Sequence, residues 1–211
     1  MTGGFEVTFI VTFLSETPIV CHPLSLIQLQ SKALRLPHIK VKVKEPYFQE
    51  YRKAISRFIK ENEIEGIVTG DISVVDSFHG NWIDDVCKGL SVKVIKPLWG
   101  LDRYQILNNL VSRGFKAVFT CVRQPWFDEE WLGRELNRDC LRKLKALEEK
   151  YGLDLCGERG EYHTMIVDAA IFKEAIQISK FSKEKKGSLF FMKPTQFFLR
   201  PKHGTNNLSK G

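Results

Sequence analysis

The stretch from Pro46 to Ile72, PYFQEYRKAISRFIKENEIEGIVTGDI, carries the two patterns that decide the fold. Its first part repeats apolar residues at helical spacing, which predicts a helix over Pro46–Asn62. Its second part, Gly66–Gly70, has the short apolar run that is typical of a buried strand. A helix that leads directly into a buried strand is part of a βαβ unit, from which parallel sheets are built. We therefore predict an α/β protein.

The same alternation of strands and helices extends outward from this stretch in both directions. Further strands are predicted at Phe5–Leu14, Ile39–Val43, Val92–Ile95, Phe115–Val122 and Thr164–Val167. Further helices are predicted at Leu24–Leu36, at Phe78–Leu90, from an N-cap at Asp102 to a stop at Gly114, and from an N-cap at Asn137 to a stop at Gly152. Because the strands are almost continuously apolar, we expect a mostly parallel sheet with helices on both faces.

Composition excludes several classes of protein. The chain has 211 residues, of which 43% are hydrophobic and 27% charged, and these proportions are typical of a globular domain. No apolar run approaches the about 20 residues of a membrane helix, and the first residues lack the pattern of a secretory signal, so a cytoplasmic protein is expected. The five cysteines are widely spaced, with no Cys-x-x-Cys pair, which predicts reduced thiols and neither a disulfide framework nor a zinc ribbon.

The positive charge of the chain is concentrated at one end. The formal net charge is +7, and the segment from Lys180 onward holds eight Lys and Arg residues against the single acid Glu184. Residues 1–179 carry 24 of each sign and are neutral overall. Residues 180–211 are therefore predicted to form a basic, disordered tail.

Polar residues and glycines follow two predicted strands at the edge where ligands bind in doubly wound sheets. Gly70 would allow a ligand to approach the backbone, and Asp71 could bind a hydroxyl group or orient a metal, although a tight turn with a capping Asp explains both equally well. Trp99, followed by Gly100, could form the floor of an adenine or substrate pocket, or it could pack in the core.

The densest candidate site is the segment Cys156–Thr164, which reads CGERGEYHT. Two carboxylates and an imidazole stand close together here, in Glu158, Glu161 and His163. Such groups could act as a general base, bind a metal or orient another group. A solvated loop without chemistry remains an equal alternative on these grounds.

Four segments of this sequence resemble, in order and spacing, the signatures of the diphthine–ammonia ligase family. They are Thr69–Ile72 (TGDI), Pro97–Gly100 (PLWG), Trp131–Leu136 (WLGREL) and Gly157–Thr164 (GERGEYHT). The similarity extends from Phe5 to Ile178, and the last of the four is the most specific.

The resemblance implies a fold in two parts. Residues 1–95 would be a Rossmann-like nucleotide-binding part of the HUP type, and residues 96–179 a family-specific α/β part that binds substrate. The family has an N-terminal strand, a Ser-Gly-Gly-Lys-Asp-Ser pyrophosphate loop and a helix ahead of the segment that corresponds to Phe5–Leu14. Met1-Thr2-Gly3-Gly4 has no such loop.

The resemblance also implies a reaction, the ATP-dependent amidation of diphthine on translation elongation factor two, with ammonia as nitrogen source and an acyl-adenylate intermediate. ATP and Mg²⁺ would be the cofactors, without a dedicated metal-ligand set in the chain. Gly70 and Asp71 would bind the nucleotide, and Glu158, Glu161 and His163 would be catalytic. The substrate-binding residues would be Trp99, Gly100, Gly157, Gly160 and Tyr162.

Two other hypotheses stay open. The absent loop and the basic tail are compatible with a catalytically inactive relative that acts as a binding or regulatory protein. The tail also interleaves Lys and Arg with phenylalanines, as in Lys185, Lys186, Phe190 and Phe191, and such a pattern can contact nucleic acid.

Overall fold

A computed structural model describes residues 4–16, 21–74 and 82–202. The helices of these residues are α1 (Leu24–Leu34), α2 (Tyr47–Asn62), α3 (Trp82–Cys87), α4 (Arg103–Ser112) and α5 (Arg138–Tyr151), with a 3-10 helix at Glu129–Trp131. The strands are β1 (Ile10–Leu14), β2 (His38–Lys42), β3 (Gly66–Val68), β4 (Lys93–Ile95), β5 (Lys116–Arg123), β6 (Tyr162–Asp168), β7 (Glu174–Lys186) and β8 (Leu189–Pro201). The α/β class is confirmed.

Parallel pairing occurs in the N-terminal half. Strand β1 pairs in parallel with β2, and β3 pairs in parallel with β4, so each pair is joined through a helix as a βαβ unit requires. Helix α2 contributes to the core with the buried residues Ala54, Ile55 and Phe58. Ile55 packs in a cluster with Val86 and Cys87 of α3, and this cluster supports the parallel strands.

The C-terminal half contains an antiparallel sheet of four strands in the order β6-β5-β8-β7. Strand β5 is its central element, and five of its eight residues are buried, including Ala117, Phe119 and Val122. Helices α4 and α5 pack against this sheet through Leu107 and Leu144, among others. Strands and helices alternate in this half as well, but β5 and β6 are antiparallel. The alternation therefore does not indicate parallel pairing here.

The prediction of a disordered tail from Lys180 is wrong for residues 180–202. Strands β7 and β8 form a long antiparallel hairpin, with pairs from Glu174 and Pro201 to Lys186 and Leu189. The order has a physical cause, since Phe190 and Met192 are buried and Phe181 packs against the main core cluster. The predicted tail residues 203–211 lie outside the described residues.

The helix caps agree with the sequence analysis. Asp102 precedes α4 and its side chain accepts a hydrogen bond from the Gln105 amide at 2.8 Å, and Asn137 caps α5 through the Cys140 amide at 3.0 Å. Gly152 ends α5 in the left-handed conformation. The helix predicted at Phe78–Leu90 falls partly on residues 75–81, which are not described, and α3 is its described portion.

Two further points concern the described helices and the predicted division of the chain. None of the helices in the described part has the length and apolarity that a bilayer crossing requires. The division of the chain at residues 95 and 96 into a nucleotide-binding and a substrate-binding part stays a prediction.

Candidate functional site

The segment between α5 and β6 is organised around the carboxylate of Glu161. This side chain is 2% exposed. One of its oxygens accepts a hydrogen bond from the Asp154 amide and the other from the Arg159 amide, each at 3.1 Å. Both oxygens are thus occupied by the backbone of the loop itself. Glu161 holds the loop formed by residues 152–161, which we call the motif loop, in one conformation.

Gly157 and Gly160 allow the motif loop to turn sharply. Both have positive φ, 70° and 78°, and the Gly160 amide donates to the Gly157 carbonyl at 2.9 Å. A Cβ atom on Gly157 would stand 2.6 Å from the Tyr162 carbonyl oxygen, and one on Gly160 would stand 2.9 Å from the Arg123 guanidinium. Close packing within the loop therefore accounts for both glycines.

Tyr162 points into the core. Its side chain is 3% exposed, and its hydroxyl donates to the Leu155 carbonyl. The ring packs against Phe119 and Phe127, with centroids 5.1 and 5.7 Å away. Burial and the neighbouring acidic groups raise the pKa of the hydroxyl well above its usual value. In this position Tyr162 has a structural role, and its contact with substrate stays a prediction.

Glu158 is the carboxylate of the motif loop that faces a polar environment. Its side chain is partly buried, and desolvation, followed by the charge of Asp154, raises the pKa of the carboxyl group. The positive charge of Arg103 opposes this increase in pKa. Asp71, in the turn after β3, also raises the pKa of Glu158, and His163 lowers it.

Arg103 connects the motif loop with the turn that follows β3. Its Nε donates to Asp154 Oδ2 at 2.8 Å, and its Nη2 donates to Ser73 Oγ at 3.0 Å. Asp154 is held in turn, because its Oδ1 accepts from the Cys156 amide at 2.9 Å. These bonds bring the turn after β3 and the motif loop to one place, although more than 80 residues separate Ser73 from Asp154 in the sequence.

The turn after β3 holds Gly70 and Asp71. The Thr69 hydroxyl donates to Asp71 Oδ2 at 2.8 Å, which orients the carboxylate. Gly70 has open space where a side chain would stand, since a Cβ atom there would meet nothing within 4 Å. A ligand can therefore approach the Gly70 backbone, as the predicted nucleotide contact requires.

Trp99 and Gly100 lie next to this turn. The Gly100 amide donates to the Ile72 carbonyl at 2.9 Å, and Gly100 has a φ of 72°. Trp99 is 37% exposed, so it is not a core residue, and the ammonium group of Lys96 lies 4.3 Å from its ring centroid. The exposed ring is compatible with the predicted pocket wall, which stays a prediction.

His163 stands at the start of β6 in a cluster that the sequence analysis did not identify. Its ring lies 4.9 Å from the ring of His22 in an edge-to-face arrangement, and His163, after the hydrogen bond with Cys121, lowers the pKa of the Cys21 thiol. Burial and the charge of His163 lower the pKa of His22. The cluster is formed by long-range contacts, which no local pattern in the sequence indicates.

The sequence analysis also missed Arg103 and Asp154. Arg103 directly follows the PLWGLD run, and Asp154 lies two residues before Cys156, so both adjoin quoted segments. The feature that identifies these two residues is their ion pair, which is seen only in the folded structure. Within residues 4–16, 21–74 and 82–202, no group of three or more His, Cys, Asp and Glu side chains is arranged to hold a metal ion.

Comparison with known proteins identifies the family. A model described as the diphthamide synthase N-terminal domain matches residues 1–94, and one described as the diphthamide synthase C-terminal domain matches residues 102–194. The chain therefore belongs to the diphthamide synthase family, and the resemblance that the four segments indicate is confirmed.

Curated relatives of this chain are named diphthine–ammonia ligase. The protein from Schizosaccharomyces pombe is 31% identical over 117 residues, which cover 56% of this chain and 19% of the relative. The Mus musculus and Homo sapiens proteins are 30% identical over 124 and 122 residues, which cover 58% and 57% of this chain and 45% of each relative. The aligned part is thus less than half the length of these mammalian relatives.

A search of solved structures gives a weaker similarity. A chain described as a predicted subunit of tRNA methyltransferase from Methanocaldococcus jannaschii aligns with a TM-score of 0.35 and 14% identity, over 76% of this chain and 83% of that chain. Nothing below depends on this similarity.

Proposed function

We propose that this chain takes part in the ATP-dependent amidation of diphthine on elongation factor two, with ammonia as the nitrogen source. The names of the relatives support the reaction class. The observation that carries the proposal is the link that Arg103 makes between the motif loop, through Asp154, and the turn after β3, through Ser73. We further propose that the reaction takes place in the cytoplasm.

Glu158 is the general base in this proposal. Attack on an activated acyl group requires ammonia in its neutral form, so a group must take a proton from the nitrogen as the new bond forms. A carboxylate with a raised pKa is better suited to this task near neutral pH than an ordinary one. Glu161 is not suited, because both of its oxygens accept backbone hydrogen bonds.

Gly70, Asp71 and Arg103 would contact the nucleotide. The open space at Gly70 allows a phosphate or ribose to approach the backbone. The guanidinium of Arg103 supplies positive charge beside this space, and it would stabilise the negative charge that develops on the leaving group. ATP, when bound, would supply the activation of the carboxylate as an adenylate.

Mg²⁺ fits this arrangement only together with the nucleotide. The described residues hold no cluster of three metal ligands. Magnesium is usually held by one or two carboxylates plus the phosphates of its nucleotide. Asp71, whose carboxylate is oriented by Thr69, is the group we expect to contribute such an oxygen.

His163 would act by positioning in this proposal. Its charge lowers the pKa of Glu158, and its ring is packed edge-to-face on His22. A histidine that stabilises the ionised form of Glu158 would keep the carboxylate ready to accept a proton. Trp99, with its exposed ring, would contact the adenine or the acyl substrate.

The experiment that tests the proposal supplies ATP, Mg²⁺, an ammonium salt and elongation factor two that carries diphthine. We expect the chain to form AMP and to convert the diphthine carboxylate into an amide, measured by mass spectrometry of the factor. Glu158→Gln should reduce the rate of AMP formation at least about 100-fold, the usual contribution of a general base. Glu149→Gln, at an exposed position of α5, is the matched control and should keep the rate.

The same experiment separates the proposal from the hypothesis of an inactive relative. Residues 1–16 contain no lysine, which the family's pyrophosphate loop would supply. A folded chain that forms no AMP but binds elongation factor two would contradict the catalytic proposal and support the binding role.

The structure gives less support to a nucleic-acid function of residues 180–202. Several of the cations there have acidic partners, as in the pairs Lys183–Glu130 and Lys193–Glu184. Lys202 lies 2.7 Å from Asp168. Positive charge that is neutralised within the protein attracts phosphate less strongly.

A further inference from the structure

Two cysteines that are 100 residues apart in sequence meet beside His163. Cys21 lies just before α1, Cys121 lies in β5, and their sulfur atoms are 3.1 Å apart. The Thr120 hydroxyl donates to the Cys21 carbonyl at 2.7 Å, which fixes the backbone of Cys21 against β5. A disulfide has a sulfur–sulfur distance of about 2.05 Å, so a movement of about 1 Å would close the bond.

The two thiols have different environments. Cys121 is completely buried, whereas Cys21 is partly exposed. The hydrogen bond with Cys121, together with the influence of His163, holds the pKa of the Cys21 thiol well below its usual value, although burial opposes the shift. The hydrogen bond with Cys21, followed by burial, raises the pKa of Cys121.

Histidines complete the environment of the accessible thiol. His163 is opposite Cys121 in the pairing of β5 with β6, which places it beside the cysteine pair. The charge of His22 also favours the ionised form of Cys21. A partly exposed thiolate near imidazole groups, with a second thiol in contact, is the arrangement of redox-active cysteine pairs.

Cys87 and Cys156 do not share these features. Burial raises the pKa of Cys87, and burial raises the pKa of Cys156 to about 12. Both groups are therefore protonated at neutral pH. The chemistry of thiol oxidation depends on the thiolate, so it is directed to Cys21.

We propose that Cys21 and Cys121 form a redox-active pair that a peroxide oxidises to an intramolecular disulfide. The Cys21 thiolate attacks one peroxide oxygen, the oxygen–oxygen bond breaks, and the departing hydroxide takes up a proton as water. Cys21 is now a sulfenic acid. The Cys121 sulfur attacks the Cys21 sulfur, and the sulfenic hydroxyl leaves with the Cys121 proton as a second water. Overall, two thiols and one peroxide give a disulfide and two waters.

The disulfide would change the surroundings of His163. It removes the thiolate that His163 contacts, and it ties the segment before α1 covalently to β5. Oxidation would therefore change the environment of His163, which the proposed function places at the candidate site. The formation of the Cys21–Cys121 disulfide does not depend on that function.

The test measures which cysteines are linked after the folded wild-type chain reacts with hydrogen peroxide. We expect the intact mass to fall by two hydrogens and a digest to contain the peptide Ala117–Arg123 linked to the peptide that holds Cys21. Dithiothreitol should restore the starting mass. Because the measurement uses the wild-type chain, it does not depend on the folding of a variant.

Cysteine-to-serine variants show which thiol reacts in each step of the oxidation. Cys121→Ser should stop at the sulfenic acid of Cys21, which dimedone traps, and Cys21→Ser should prevent both products. Cys87→Ser is the matched control and should form the same link as the wild type.

Three results would overturn the proposal. The first is a chain whose Cys21 and Cys121 are both still alkylated after peroxide treatment. The second is a peroxide-induced link between other cysteines. The third is one zinc ion per purified chain that is lost in Cys21→Ser, because the same sulfurs and imidazoles would then be metal ligands.

Discussion

Arg103 Nε donates to Asp154 Oδ2 at 2.8 Å, and this bond joins the first residue of α4 to the motif loop. Asp154 is 9% exposed and Arg103 also reaches Ser73, so the guanidinium links three segments of the chain. Because Ser73 lies in the matched range 1–94 and Arg103 and Asp154 lie in 102–194, the guanidinium connects the two matched family domains.

The first prediction concerns this pair. Arg103→Met keeps much of the aliphatic stem and removes the charge, which leaves the buried Asp154 carboxylate without its partner. We expect the free energy of unfolding to fall by about 2 kcal/mol, because a buried charged group loses a hydrogen bond. Urea unfolding measures the change.

An exposed ion pair provides the control for Arg103. Arg142 pairs with Asp139 on the surface of α5, and both side chains are more than half exposed. Arg142→Met should change the free energy of unfolding by less than about 1 kcal/mol. Equal effects of the two substitutions would contradict the idea that Arg103 holds the site together.

The second prediction separates the two glutamates of the motif loop. Glu161→Gln replaces one carboxylate oxygen by an amide nitrogen, which cannot accept the hydrogen bond of a backbone amide. We expect a loss of about 1–3 kcal/mol in the free energy of unfolding, since a buried donor is left without an acceptor. Glu158→Gln should cost at most about 0.5 kcal/mol at neutral pH.

The outcome is informative in either direction. Thermal and urea unfolding of the two variants, compared with the wild type, give the two costs. If Glu158→Gln proved the more destabilising, the assignment of Glu161 to the loop and of Glu158 to the chemistry would have to be reversed.

How much of this structure can be predicted from the sequence depends on how far apart in the sequence the interacting residues are. The caps at Asp102 and Asn137 follow from residues three positions apart, so their bonds could be predicted from the sequence. The direction of strand pairing is a long-range property, and apolar strands such as β5 look the same in parallel and antiparallel sheets. Local patterns therefore indicate the helices and the strands up to β6, but neither the hairpin of β7 and β8 nor the antiparallel pairing of the C-terminal sheet.

The candidate site divides in the same way. Glu158, Glu161 and His163 were identified by their density in one segment, yet the segment does not reveal that Glu161 accepts two hydrogen bonds from its own backbone. Arg103, Cys21 and their partners were missed because the partners are far away in sequence, 30 and 51 residues for Arg103 and 100 residues for Cys21. Contacts of this kind require the folded structure.

The third prediction is a pH dependence. Burial raises the pKa of Glu158, so the folded state binds this proton more tightly than the unfolded state does. The stabilisation from protonation is present below the ordinary value of 4.5 and is lost as the pH rises through the higher folded-state pKa. Relative to Glu158→Gln, which has no proton to lose, the wild type should lose stability over this window.

Urea unfolding of both chains at a series of pH values above 4.5 provides the measurement. The variant serves as the reference because every other titrating group is shared. A difference between the chains that stays constant, or that favours the wild type increasingly as the pH rises, would contradict the raised pKa.

The last prediction tests whether residues 180–202 are ordered as part of the core. Met192 is 1% exposed in β8, whereas Phe198 of the same strand is 50% exposed. Met192→Ala should lower the free energy of unfolding by about 2–5 kcal/mol, because it leaves a cavity in the packed interior. Phe198→Ala, which removes a larger side chain from the surface, should change it by about 0.5 kcal/mol or less. In a disordered segment the two substitutions would be equally harmless, so urea unfolding of this pair distinguishes a packed hairpin from a tail. We expect the larger loss of stability at Met192, although it is the smaller residue, because Met192 is buried and Phe198 is not.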